Sequence, residues 1–488
     1  MSIFSQRVKE RWSGISHVIP NGVRLLKINF KEDPRIMVGL TFVVIVSSIV
    51  PFVSSAVIAT IINQLVATPT DMLLPLVGVL VIVSVLPSFL SSIYSYLNKR
   101  NTIKMMNFFE LLYAEKQAEL DVADLENPKF QDVLNRAREN FYANMNMIDS
   151  MFDLMRNVVG LILASIILFA FSPLILLVIL IGVIPQFWVE TKYGTGEWSI
   201  WASKSEDRRA FGDLRYRFMN LAELVELKIF QNSKHFLGKM RGLLGDFEDE
   251  QIKLENNRFS GNLITFVFSI LTIGFAIFWS VNQVTVGALE IGTMTFVLYA
   301  ITNFSGSFSA FLLTIAQQLK YSLYVTDIFE IFDRTSSRDA LRKKGLLSDK
   351  TPEIVFENVS FAYPDTTELV LKDFSLTIKP NERIALVGIN GSGKTTLIKL
   401  LAGFYSPTKG KILVDGIDLE EIDLMEWYSE LAILFQDYAT YHFLVKDGIS
   451  LGDSSREQDM GGVRDAAFVS DSDSFISKWK YQYEQMIG

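Results

Sequence analysis

The stretch GINGSGKTT, Gly388 to Thr396, fits the phosphate-loop pattern of one glycine, any four residues, and then Gly-Lys-Ser/Thr. Glycines let successive backbone N–H groups turn inward as a nest for anions, and the helix that follows directs its positive N-terminal end at phosphate. Lys394 supplies a point charge for the outer phosphates, and the Thr395 hydroxyl is a suitable ligand for Mg²⁺. The residues that we expect to hold phosphates and their metal ion are Gly388, Asn390, Gly391, Ser392, Gly393, Lys394, Thr395 and Thr396.

The flanks of the loop predict the secondary structure that this mechanism requires. Arg383 to Val387, RIALV, is typical of a short buried strand, and Thr395 to Leu401 is typical of a helix closed by Gly403. The alternative is a glycine-rich turn that binds nothing.

Composition indicates a membrane protein. The chain has 488 residues, 49% of them hydrophobic, which is too apolar for an ordinary soluble protein and long enough for two or three domains. A formal net charge of -8, without one basic face, argues against a nucleic-acid partner. The absence of cysteine excludes disulfides and thiolate metal sites. The charged start MSIFSQRVKERW predicts no removable signal peptide.

Long uncharged runs predict six membrane-spanning helices. The first two spans are expected at about Met37 to Ile62 and Met72 to Leu97, because Asp71 is the only charge between residues 36 and 98. The 33 uncharged residues from 157 to 189 are read as two spans that turn at Ser172-Pro173. The fifth and sixth spans are expected near 263–281 and 291–318.

The distribution of lysine and arginine orients these spans. Residues 1–35 contain seven, residues 98–150 seven, and residues 192–260 twelve, whereas the short segments 63–71, 172–173 and 282–290 contain none. Basic loops remain in the cytoplasm, so both ends of the membrane domain are expected there.

Two polar stretches between the spans predict amphipathic cytoplasmic helices. In the first, Asn127 is placed as an N-cap with Pro128 at the first helical position. One face of this helix carries Phe130, Val133, Leu134, Ala137 and Phe141. The second is AELVELKIFQ, residues 222–231.

The pattern changes to that of a soluble α/β domain near Thr351. Short strands are predicted within residues 353–363, 374–378 and 410–416, the last with an Asp-Gly turn. The predicted organisation is an N-terminal cytoplasmic segment 1–35, an α-helical six-span domain 36–318, a linker 319–350 and a partial α/β phosphate-loop domain 351–488.

Six spans followed by a phosphate-loop domain resemble an ATP-binding-cassette (ABC) exporter half-transporter over nearly the whole chain. The resemblance implies that Tyr363 stacks on adenine and that Gln436, in AILFQD, contacts Mg²⁺ and the attacking water as the family's glutamine loop does. It also implies that the two amphipathic helices couple the domains. Ordinary strand packing of Tyr363, and mutual packing of the helices, are the alternatives left open.

The chain departs from the family pattern after Gln436. No signature of the Leu-Ser-Gly-Gly-Gln type, no apolar strand ending in Asp-Glu and no switch histidine is found, and Met460-Gly461-Gly462-Val463 only resembles a glycine pair. The sequence as written stops inside what would be the helical subdomain of the cassette. We therefore expect it to bind ATP and Mg²⁺ but to hydrolyse ATP poorly, with no complete set of catalytic residues.

Three functions remain open at this stage. The leading one is ATP-driven export of an apolar or amphipathic cargo (drug, lipid or peptide) by a dimer with an identical or different half-transporter, in the plasma membrane. The second is a non-catalytic nucleotide-binding membrane protein. The third is a nucleotide-gated channel.

A polar stripe on the sixth span bears on the choice of cargo. It comprises Thr295, Tyr299, Thr302, Gly306 and Ser309, and fits either a substrate path or small-residue helix packing.

Overall fold

The computed structural model divides the chain into two compact units, with the boundary between residues 337 and 338. It describes residues 2–67, 71–193, 200, 205–335, 351–436, 438, 441–456 and 459–487. The parts of the predicted outside segment 63–71 and linker 319–350 that fall at 68–70 and 336–350 lie outside the described residues.

Unit 1 is helical, and among the residues that the structure describes six helices are long and apolar enough to cross a membrane. The six predicted spans therefore correspond to six helices. These are α2 (Pro34–Val66), α3 (Leu73–Glu119), α6 (Ala143–Phe171), α7 (Pro173–Tyr193), α10 (Ser233–Thr285) and α11 (Ile291–Asp333). They are accompanied by α1 (Ser2–Glu32), α4 (Val122–Leu125), α5 (Pro128–Glu139), α8 (Ser205–Met219) and α9 (Leu221–Ile229).

Proline and cap residues set several of these boundaries. The predicted turn at Ser172-Pro173 is confirmed, since α6 ends at Phe171 and α7 begins at Pro173. The predicted cap of α5 is confirmed as well, because the Asn127 side chain accepts the N–H of Lys129 at 2.9 Å. Four of the five predicted apolar residues of α5 are buried, so this helix packs inward.

Ion pairs attach the C-terminal end of α11 to its neighbours in unit 1. Arg136 of α5 makes a two-pronged pair with Asp327, with distances of 2.9 and 3.0 Å. Arg24 of α1 binds Asp333 in the same way at 2.6 and 2.7 Å. Paired arginine–carboxylate contacts fix orientation as well as distance. The last turns of α11 are therefore held against α1 and α5.

Unit 2 contains a small antiparallel sheet in the order β2-β1-β3-β4. Its strands are β1 (Ile354–Phe361), β2 (Leu371–Ile378), β3 (Lys409–Val414) and β4 (Ile417–Asp418). The three strand regions predicted around 353–363, 374–378 and 410–416 are thereby confirmed, and Gly416 in the turn after β3 has a φ of 80°.

The helix after the phosphate loop is also as predicted. It is α12 (Lys394–Leu401), and Gly403 closes it with a φ of 72° while its N–H donates to the Leu400 carbonyl at 3.0 Å. The remaining elements are α13 (Leu424–Ser429), β5 (Phe443–Leu444), α14 (Val445–Ser450), α15 (Met460–Val469), α16 (Asp473–Ile476) and β6 (Met486–Ile487), with β5 and β6 paired.

The prediction of a buried strand at Arg383 to Val387 is wrong for this structure. These residues belong to no strand ladder among the described residues, and Val387 is 94% exposed. A strand requires a hydrogen-bonded neighbour, and no described strand lies beside this segment. The apolar run that precedes the loop is therefore present without the sheet contacts that its composition predicts.

Candidate functional site

The phosphate loop joins the unpaired segment to α12, and its N–H groups remain available at the helix start. The N-cap of α12 is Gly393, which has no side chain to cap the first turn. The first amides of a helix have no partner within the helix. The N-terminal turn of α12 therefore presents uncapped N–H donors and the positive end of the helix dipole, as an anion site requires.

Two loop glycines occupy backbone conformations that favour glycine. Gly391 has a φ of 82° and Gly393 a φ of 90°. At Gly393 a Cβ atom would lie 2.9 Å from Cδ2 of Leu371, in β2, whereas at Gly391 it would meet nothing within 4 Å. The loop therefore needs glycine at 393 for both backbone shape and close packing, and at 391 for backbone shape alone.

Lys394 folds back over the loop that precedes it. Its Nζ donates to the carbonyl oxygens of Gly388 at 2.8 Å and Ile389 at 2.9 Å, and lies 3.3 Å from Oγ of Ser392. The ammonium group is thus held by neutral oxygens of the loop itself, among the same residues that would surround phosphate. An anion entering the loop would meet a positive charge that is already in place.

Tyr363 is attached to the helix that the loop begins. Its hydroxyl oxygen lies 3.0 Å from Oγ1 of Thr396, a buried residue in the first turn of α12. Its ring makes edge contacts with Phe361 and Tyr405, at centroid distances of 5.1 and 5.3 Å. These contacts leave Tyr363 half-buried. The sequence does not predict its contact with Thr396.

The structure does not bring Gln436 to the loop by any described contact. Gln436 is exposed and follows Phe435, whose ring stacks on Phe404 at 6.2 Å, just beyond the C-terminal end of α12. The predicted site residues therefore fall into two groups. Tyr363 and residues 388–396 form one cluster, and Gln436 shares no described contact with it.

The donor set of the cluster fits a nucleotide phosphate chain with its metal ion. The uncapped start of α12, the left-handed glycines and the Lys394 ammonium provide donors and positive charge. The Thr395 side chain is exposed beside them, so its hydroxyl is open to a cation. Among the described residues there is no group of three or more His, Cys, Asp or Glu side chains that would bind a metal ion alone.

A second feature, in unit 1, is a polar cleft of about 380 Å³ between α6 and α11. Tyr299, Thr302 and Gly306 of the predicted stripe line it. The stripe residues Thr295 and Ser309 do not. Thr295 Oγ1 donates to the Gly292 carbonyl at 2.6 Å, and Ser309 Oγ donates to Oε1 of Gln186 at 2.8 Å.

Three lining residues were missed from the sequence: Asn157, Asn303 and Ser307. Asn303 and Ser307 follow Tyr299 at intervals of four residues, and that helical spacing was the signal that could have found them.

Comparison with known proteins bears on the phosphate loop and on the fold. The family described as ABC transporter matches residues 371–476, which include the phosphate loop. The subtilin transport ATP-binding protein SpaT of Bacillus subtilis is 24% identical over 95% of this chain and 76% of its own length. The nisin transport ATP-binding protein NisT of Lactococcus lactis is 21% identical over 88% of this chain and 72% of its own.

The fold agrees as well. The structure of a bacterial Atm1-family ABC exporter with ATP bound superimposes with a TM-score of 0.78, covering 93% of this chain and 80% of that one at 19% identity. Six membrane-spanning helices, the phosphate loop and these relatives lead to one conclusion. The chain is a multi-pass integral membrane protein whose C-terminal part matches the ABC transporter family and whose fold is that of an ABC exporter half-transporter.

Proposed function

We propose that this protein uses ATP to export an amphipathic peptide across the plasma membrane, as one half of a dimer. The observation that carries the proposal is the phosphate loop with its preplaced Lys394, fused in one chain to six spans. The two relatives that match most of the chain are named for the transport of subtilin and of nisin. Lipids and drugs are the alternative cargoes within the same class of apolar or amphipathic molecules.

The nucleotide roles follow from the cluster. Residues 388–396 hold the phosphates by backbone N–H groups and the Lys394 ammonium, while Thr395 contributes its hydroxyl to Mg²⁺. Tyr363 stacks on adenine, and Gln436 contacts the metal ion and the attacking water. When bound, ATP supplies the free energy of phosphoanhydride hydrolysis. The protein binds and orients the nucleotide and excludes water from it.

The orientation proposed is that both ends of the membrane domain face the cytoplasm. The three segments assigned to the outside carry no lysine or arginine, and the cytoplasmic ones carry many. The partner is a second half-transporter, identical or different. Its cassette would contribute to the same nucleotide sites.

The test is turnover by the full chain in proteoliposomes. The export proposal predicts continuous hydrolysis of MgATP and accumulation of a labelled peptide inside inverted vesicles, both abolished in Lys394→Ala. Nucleotide binding at the wild-type level with no turnover, alone or with co-expressed half-transporters, would instead establish a non-catalytic nucleotide-binding protein. Ionic current without hydrolysis would establish a channel.

A further inference from the structure

The connection between α12 and β3, residues 402–408, holds the backbone that leads to Tyr363. The N–H of Thr408, at the end of this connection, donates to the Ser360 carbonyl at 2.8 Å, and the Thr408 hydroxyl oxygen accepts the N–H of Ala362 at 3.1 Å. Ser360 is in β1, and Ala362 directly follows that strand. Two hydrogen bonds therefore fix the backbone before Tyr363 to the segment that follows the phosphate-loop helix.

Tyr405, in the same connection, packs against the Tyr363 ring. The two ring centroids are 5.3 Å apart, and the ring planes meet at 87°. Both rings also make edge contacts with Phe361, at 5.4 Å from Tyr405 and 5.1 Å from Tyr363. These distances and angles are those of favourable aromatic pairs. Tyr405 is only 4% exposed, so its ring has little room to rotate and forms a fixed wall beside Tyr363.

The far end of the Tyr363 side chain is held by α12. Its hydroxyl oxygen lies 3.0 Å from Oγ1 of Thr396, which is 5% exposed. The ammonium nitrogen of Lys399, one turn further along α12, lies 5.9 Å from the centroid of the Tyr363 ring, at the limit of a cation–π contact. Contacts within the protein therefore set the orientation of the ring, from the 402–408 connection and from α12.

We propose that Tyr405 is a positioning residue for nucleotide selection, which holds the Tyr363 ring in the orientation that an adenine base requires for stacking. The inference rests on the proposed function, in which Tyr363 stacks on adenine. A tyrosine side chain rotates about two torsions, and a base that stacks on a rotating ring must also restrict that rotation, which weakens binding. A ring that Tyr405 already fixes avoids this loss.

Positioning of this kind acts on the base and not on the phosphates. The base stacks on Tyr363, whereas the phosphates bind to residues 388–396. Inorganic tripolyphosphate has a chain of three phosphates and no base, so the ratio of its Kd to that of ATP measures the contribution of the base. A distorted phosphate loop would weaken both ligands alike and leave the ratio unchanged.

The experiment is competition binding with the full chain in nanodiscs. ATP and inorganic tripolyphosphate, each with Mg²⁺, displace a fluorescent ATP analogue. The wild type should bind ATP about fivefold to a hundredfold more tightly than tripolyphosphate, as stacking of one base on an aromatic ring provides. Tyr405→Leu should reduce this preference about twofold to tenfold, with binding of tripolyphosphate within twofold of the wild type.

Matched variants show whether the fixed ring at 405 is the cause. Tyr405→Phe retains the ring and should keep the wild-type preference. Tyr405→Met fills the buried site with a flexible side chain, which protects the fold, and should reduce the preference as leucine does. Phe374→Leu removes a ring of β2 that makes its edge contact with Phe356, at 5.8 Å, and should leave the preference unchanged. An unchanged preference in the leucine and methionine variants at 405 would overturn the proposal, as would equal weakening of both ligands.

A double-mutant cycle tests whether Tyr405 acts through the Tyr363 ring. In Tyr363→Leu the preference for ATP should be lost. Adding Tyr405→Leu to that variant should then change the ratio of the two dissociation constants by less than twofold, because the ring that Tyr405 positions is absent. A further fall in the ratio would overturn the proposal, since Tyr405 would then affect the base by another route.

The outcomes separate this inference from the proposed function. Loss of the ATP preference in Tyr363→Leu, with no change in the leucine and methionine variants at 405, would refute the positioning role and leave the stacking role of Tyr363. A preference that depends on Tyr405 without continuous turnover of MgATP would sustain the positioning role and refute export. Equal binding of ATP and tripolyphosphate by the wild type would refute stacking on Tyr363 and, with it, this inference.

Discussion

Gly393→Ala should disable the phosphate loop, and Gly391→Ala should only weaken it. Both glycines have a left-handed φ, 90° and 82°, which costs an L residue about 1–2 kcal/mol. At 391 that backbone cost is the whole effect, because the added methyl meets nothing within 4 Å. At 393 the methyl also meets Leu371 Cδ2 at 2.9 Å, which adds about 1–3 kcal/mol of overpacking.

These costs convert directly into nucleotide affinity. If only the observed loop conformation binds phosphate, the apparent Kd rises by the factor by which that conformation is depopulated. The expected increase is about fivefold to thirtyfold for Gly391→Ala and about thirtyfold or more for Gly393→Ala. The methyl at 393 meets the end of the Leu371 side chain, which is buried and therefore has limited room to rotate away.

The assay is titration of the full chain in nanodiscs with a fluorescent ATP analogue and Mg²⁺. Leu371→Ala combined with Gly393→Ala serves as a relief control. It removes the contacted Cδ2 and should recover the part of the loss due to overlap, while the backbone part remains. Binding by Gly393→Ala within twofold of the wild type would refute the assignment of this loop as the phosphate site. Equal losses in the two alanine variants would refute the role given to the Leu371 contact.

Three further predictions concern the membrane unit, each read as an apparent Tm in detergent. The Asp33 carboxylate caps α2 and binds Lys104, and these hydrogen bonds hold its pKa below the usual value. That stabilisation is present above the ordinary aspartate pKa and is lost as pH falls through the lower folded value. Asp33→Asn, which preserves a capping oxygen, should therefore cost about 1 kcal/mol of stability at pH 7 and lower the Tm there, and this effect should shrink as pH falls below the ordinary aspartate pKa; a loss of Tm that does not shrink with falling pH would contradict the ion-pair account. Asn144 is fully buried, and neither of its amide atoms has a hydrogen-bond partner among the described residues, so Asn144→Leu should raise the Tm, and a fall of more than 2 °C would show that the amide is paired. Gly292→Ala would place a methyl in overlap with the backbone carbonyl of Ala59 in α2 and should cost about 1–3 kcal/mol, whereas Gly274→Ala on α10, with open space around it, should be nearly neutral; a neutral Gly292→Ala would contradict the close approach of α2 and α11.

Local signals in the sequence are sufficient to predict the helices and the core of the phosphate loop. Asn127 and Pro128 set the start of α5, Pro173 set the start of α7, and Gly403 set the end of α12, because caps and prolines act on the backbone nearest to them. The phosphate loop is local in the same sense, since its shape depends on consecutive residues. These elements could be placed without knowing what packs against them.

The cleft could be predicted only in part, because it depends on two helices that are far apart in the sequence. The period of α11 identified Tyr299 and Thr302 as one face, but the opposite wall is Asn157, about 140 positions earlier. No period within α11 reveals that Gly160 leaves room for Ser307. Pairing of two faces is a tertiary property, and sequence periodicity describes one helix at a time.

The prediction of a strand at residues 383–387 is wrong because a strand also depends on a tertiary neighbour. The lack of that neighbour bears on the role of Lys394. The composition of residues 383–387 predicts a strand, but a strand needs a hydrogen-bonded neighbouring strand. Among the described residues no strand pairs with this segment. At its C-terminal end the loop is fixed by α12, by Leu371 against Gly393 and by the Tyr363 hydroxyl on Thr396. At its N-terminal end the Lys394 ammonium donates to the Gly388 and Ile389 carbonyls, and the Ile389 carbonyl also accepts the N–H of Ser392 at 3.2 Å.

Lys394 therefore acts as both a charge for phosphate and a tether for the half of the loop that lacks sheet support. A change to alanine removes both contributions at once, so its effect on nucleotide affinity overstates the direct lysine–phosphate attraction. The two contributions separate by ionic strength, because attraction to a multiply charged phosphate chain weakens with added salt, whereas a tether between neutral carbonyls and a lysine in contact with them changes little. The part of the affinity lost in Lys394→Ala that persists at high salt measures how much the loop depends on its own lysine for its shape.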